Sequence, residues 1–82
     1  MTPAVVWRDR MEWALHRKAQ ALTAADYISD RPARPDDLWL KELHAALARI
    51  ERERAAAYAE YAHLCETAFT NAALDEMTGG AA

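Results

Sequence analysis

The sequence predicts an all-α fold: an antiparallel helical hairpin of two long helices. Three observations carry this expectation. From Asp36 to Thr78 there is neither Gly nor Pro, and Ala, Leu, Glu and Arg dominate. Helix interiors exclude Pro and disfavour Gly, so the whole stretch reads as one helix. Apolar residues also recur at three- and four-residue spacing on both sides of a single short break. That break, Asp30-Arg31-Pro32-Ala33-Arg34-Pro35, holds two prolines three residues apart, which cannot both sit inside a helix.

The first helix is expected over about residues 3–29. Thr2 is a capping residue type and Pro3 suits the first helical position. Trp7, Met11, Ala14, Leu15, Leu22, Ala25 and Ile28 then recur on one side. Thr23-Ala24-Ala25-Asp26 fits a capping box, which would restart the helix after a kink. With no Gly or Pro nearby, a continuous helix is the better fit. The loop is expected over 30–35 and the second helix over about 36–77. Pro35 suits its first position, and Asp36 and Asp37 would face the positive end of its dipole. Leu40, Leu43, Leu47, Ile50, Ala57, Tyr61, Leu64 and Ala68 form the expected seam, interrupted by Arg54. A second line, Tyr58, Tyr61, Cys65, Phe69, Ala72 and Met77, takes over as the stripe drifts around the helix. Asp75 and Glu76 lie at the unfavourable dipole end, so fraying is expected after about Asn71. Residues 1–78 then form one domain and residues 79–82 a disordered tail.

Folding the chain about Pro32 pairs Ile28 with Trp39, Leu15 with Ile50 and Trp7 with Tyr58. Residues from His63 to Thr78 then overhang helix one by about 20 Å at 1.5 Å per residue. The overhang carries Leu64, Cys65, Phe69, Leu74 and Met77, an apolar stripe of the kind that marks an interface. Two hairpins pairing antiparallel would make a four-helix-type bundle. The overhang would alternatively dock in a groove of a larger protein, or fold back to give a three-helix bundle.

Composition narrows the function classes. A chain of 82 residues makes one small domain that needs help from oligomerisation, metal or disulfides. Cys65 is the only cysteine, so no intrachain disulfide is possible, and that usage fits a reducing, cytoplasmic setting. The N-terminal residues lack a signal-peptide pattern and no apolar run is long enough to span a membrane. Net charge is −3, and no Lys or Arg follows Arg54, which argues against a nucleic-acid surface.

Several constellations invite chemistry. Glu60-Tyr61-Ala62-His63 matches the E-x-x-H spacing that puts two iron or zinc ligands on one helix face. Glu12 and His16 add a second pair, but the hairpin register would require a second copy to complete a site. Arg17, Lys18, Arg49 and Arg52 would converge on an anion or nucleotide from facing helices. No Gly-rich loop accompanies them. Arg54 is expected to pair with Glu12 or to mark a polar layer in the seam. Cys65 reads as a small buried hydrophobe and His44 as a packing or surface residue. Trp13 lies off the main stripe with Arg17 beside it, and Trp and Arg are favoured at binding hot spots. A thin hairpin offers no pocket of catalytic size. The expected function is therefore non-catalytic. The chain reads as a self-associating interaction module (an adaptor, regulator or inhibitor of a larger complex). Trp13, Leu64, Cys65, Phe69, Leu74 and Met77 are its candidate contact residues. The alternatives are an oligomeric metal-binding protein and an anion binder.

Overall fold

The computed structural model describes residues 2–31 and 36–79. Pro32, Pro35 and the tail Gly80 to Ala82, on which the break and the disordered tail were expected, lie outside the described residues. Two helices account for nearly all of the rest: α1, Pro3–Ser29, and α2, Leu38–Met77. They pack as a helical hairpin with principal extents of 69 × 14 × 12 Å. The radius of gyration is 19.0 Å, against about 12 Å for a compact globule of this length.

Helix ends follow from local chemistry. The Thr2 hydroxyl accepts a hydrogen bond from the Val5 N–H at 3.4 Å, with Pro3 opening the helix. α1 passes through Thr23 without a break. α2 starts at Leu38, two residues later than expected, and its cap Asp37 makes no side-chain capping bond. Its far end closes with Thr78 and Gly79 N–H groups bonded to Leu74 and Glu76 carbonyls. Gly79 adopts φ +78°, the left-handed conformation that favours glycine just after a helix. α2 is unbroken, so the described residues hold two helices and not the three of the alternative bundle.

The seam between the helices is made of small side chains. Ala4, Ala14, Ala21 and Ala25 of α1 are buried against Ala48, Ala55, Ala62 and Cys65 of α2. Ala48, Ala55 and Ala62 are seven residues apart, as are Ala14 and Ala21. This heptad spacing keeps one face turned toward the neighbour. Methyl groups at these positions let two helix backbones approach closely. The expected seam of Leu43, Leu47, Ile50, Tyr61 and Leu64 is therefore displaced. These residues lie on the flank, with Ile50 46% and Leu64 61% exposed. The periodicity was legible, but α2 carries two apolar stripes, and the one with small residues won the helix contact.

The register differs as well. The Ala4 N–H donates to Glu76 Oε1 at 3.4 Å, and Arg52 Nη2 donates to Ser29 Oγ at 2.9 Å. Trp13, not Trp7, meets Tyr58. The helices are slid by several turns from the fold about Pro32, and the expected C-terminal overhang does not exist. The N-terminal turns of α1 cover that end of α2, where Ala68, Phe69, Ala72 and Ala73 are half-buried. The helix continues to Met77, the end expected for it from the sequence. What projects is the opposite end of α2, past Ser29, where Leu38 and Trp39 are 65% and 68% exposed.

Candidate interaction face

One flank of the hairpin gathers aromatic and arginine side chains. Seven-residue repeats place Trp13, Arg17, Gln20 and Ala24 of α1 just beside the alanine seam. On α2 the neighbours are Glu51, Arg54, Ala57, Tyr58 and Tyr61. Trp13 packs edge-on against Tyr58 (centroids 5.7 Å apart, planes at 85°) and against Tyr61 (6.3 Å, 86°). T-shaped pairs align a ring edge with the negative face of its neighbour. The Arg17 guanidinium lies 5.7 Å from the Trp13 ring centroid, a cation–π distance. Trp13, Ala57, Tyr58 and Tyr61 line one shallow groove, and Arg17, Gln20, Glu51, Arg54 and Tyr58 line the next.

Arg54 does not pair with Glu12. It forms an ion pair with Glu51 Oε1 at 3.1 Å on its own helix. Hydrogen bonding with Tyr58, then the Glu51 carboxylate, hold its pKa above the ordinary arginine value. The stripe's one charged residue is thus partnered within its own chain. Outward from this cluster run Leu43, Leu47, Ile50 and Leu64, and these spacings form one continuous apolar band.

The other expected residues are distributed as follows. Trp13 is 49% exposed, and Leu64 and Leu74 also face outward. Met77 is the last residue of α2 and is exposed. Cys65 is buried in the seam as a free thiol, and Phe69 is half-buried at a seam position, so neither lies on an open contact surface. Their apolar character is spent within the hairpin, because α1 reaches further along α2 than the fold about Pro32 implied.

The four basic residues expected to meet do not converge. Arg17 sits on the aromatic flank, whereas Lys18 lines a cleft with Met11, Leu15, Ala59, His63 and Glu66 on the opposite side. Arg49 approaches Glu53 at 4.0 Å and Arg52 is hydrogen-bonded to Ser29. Adjacent residues such as Arg17 and Lys18 point about 100° apart on a helix, which separates them around the seam. The basic side chains that do gather are Arg31, Lys41 and His44, which with Ser29 line a cleft at the projecting end of α2. Sequence spacing did not reveal this group, because it depends on the slid register.

Glu12, His16, Glu60 and His63 form no common site either. Among the described residues no three His, Cys, Asp or Glu side chains are grouped to hold a metal. His63 Nδ1 lies 4.0 Å from Glu66 on its own helix, and Met11, Leu15 and Lys18, not Glu12 or His16, face it across the cleft. Among the described residues no helix is long and apolar enough to cross a membrane. Comparison with protein-family models, with curated proteins and with solved structures finds no match for the chain.

Proposed function

We propose that this chain is a non-catalytic helical interaction module, an adaptor, regulator or inhibitor of a larger protein assembly. It binds through the flank centred on Trp13, Tyr58 and Tyr61. The observation that carries this reading is the division of apolar surface. The hairpin buries alanines and leaves Trp13, Leu43, Leu47, Ile50, Tyr61 and Leu64 substantially exposed. Large contiguous apolar surface on a small protein marks a binding surface. The composition at the centre is also apt. Trp, Tyr and Arg dominate binding energy at protein interfaces, because they combine large apolar area with fixed polar tips. Here two tyrosines pre-position the tryptophan and Arg17 caps it, so little side-chain entropy remains to be lost on binding.

The anion residues are not grouped within the hairpin, and the metal alternative requires a second copy to complete its site. The module reading is tested by capturing the partner with the purified chain, identifying it, and measuring its affinity for variants. Trp13→Ala should weaken binding at least about tenfold while the circular-dichroism helix signal stays unchanged. A partner that binds equally well to helical Trp13→Ala and Tyr61→Ala chains would remove the reading.

A further inference from the structure

From the layout of the outer apolar band of α2 we infer that a second copy of this chain covers it, paired antiparallel about a two-fold axis crossing near Ala57. The inference deepens the interaction-module reading by naming one occupant, and it rests on that reading.

The middle of the band, from Leu47 to Ala68, is close to self-complementary. A two-fold axis at Ala57 carries each residue onto the position equally far on the other side. Ile50 and Leu64 are both seven residues from Ala57, so each meets the other across the axis. Leu47 meets Ala68 and Arg54 meets Tyr61, to within one residue. Self-complementarity of this kind is what an isologous interface requires. A foreign partner has no reason to favour it.

The charge pattern agrees. The one cation in the band, Arg54, is held by Glu51 at 3.1 Å. It needs no counter-charge from outside. Opposite Tyr61 of the second copy it gains an aromatic face. Ala57 at the axis lets two helices approach closely, as the alanines do inside the hairpin.

Length also fits. A pairing centred on Ala57 lies at the middle of α2 (Leu38–Met77) and so runs along the whole of that helix. Finally, among the described residues nothing bulkier than Cys65 is completely buried. A chain this small and this thinly cored requires added burial to stay folded.

The test is done on the purified full chain. Sedimentation and native mass spectrometry at about 100 μM, well above a micromolar dissociation constant, should give twice the 9.2 kDa chain mass. Ile50→Glu and Leu64→Glu should each weaken pairing by about a hundredfold or more. Because those variants risk unfolding, a second measurement uses the Cys65→Ser background, which has no other thiol. Oxidised Ala57→Cys should give a disulfide-linked dimer, and Ala19→Cys on the outer side of α1 should not. A monomer at that concentration overturns the inference, as does linkage through Ala19→Cys in place of Ala57→Cys. A monomer that still binds another protein through Trp13 would overturn only the pairing. A pair linked at Ala57→Cys whose partner binding is indifferent to Trp13 would overturn only the proposed flank.

Discussion

The inner and outer stripes of α2 share one helix but sit about 160° apart around it, as Ala48 and Ile50 do at 100° per residue, and they have opposite fates. Ala48, Ala55 and Ala62 are hidden against α1, and Leu43, Ile50 and Leu64 face outward. Hydrophobicity alone would have reversed this, since leucine gains more from burial than alanine. Contact between two backbones along their whole length is instead governed by size. Small side chains at every seventh position allow closer approach, and close approach multiplies weak dispersion contacts over many turns. The larger residues are left on the outer side of the helix.

Exchanging the stripes' chemistry is the strongest way to break this comparison. Ala55 is 3% exposed, so Ala55→Leu should destabilise the chain by about 1–3 kcal/mol through overpacking. Leu47→Ala should leave chain stability within about 0.5 kcal/mol when measured at dilutions where copies are separate. Urea melts of both variants at low concentration check this. Equal losses would mean that the two stripes share the helix contact.

The two ends of α2 offer a second contrast. Amides between Leu64 and Leu74 should be well protected from hydrogen exchange, because α1 covers them. Those from Leu40 to Leu43, on the projecting end, should exchange by easy local opening. The reverse order would restore the C-terminal overhang that the sequence suggested. A smaller effect is expected at the α1 start. Thr2→Ala should cost about 1 kcal/mol and loosen the turn that carries Ala4 toward Glu76, read as a lower melting temperature.

The smallest effect expected is an absence of slope. The folded-state pKa of Arg54 is raised above its unfolded value. Its contribution is therefore fully present below the unfolded pKa and is lost only as pH rises through the folded one, in strong alkali. The stability difference between the parent chain and Arg54→Gln should be flat across neutral and mildly alkaline pH. A difference that changes there would show that another group titrates with it.

Much of the fold was legible in particular residues. The Gly- and Pro-free run to Thr78 announced a long second helix, and Thr2-Pro3 announced the start of the first. The site was legible in part. Trp13 stood out as lying off the main stripe with Arg17 at its side, and the structure adds Tyr58 and Tyr61 around it. The basic group of Arg31, Lys41 and His44 was not legible, because its members come from separate segments joined by a register that no local signal specifies. The same holds for Phe69, whose half-buried place depends on how far α1 extends along its neighbour, whereas the burial of Cys65 was readable from its apolar line.

By itself, the sequence determined that the chain is helical, where the helices are interrupted, and which positions are apolar. These follow from backbone propensities and from periodicity, both local properties of the chain. Which apolar stripe became the seam, and at what register, was decided only when two helices met in three dimensions. That choice depends on how closely side chains of different size let the backbones approach, a property of the pair that neither helix carries alone.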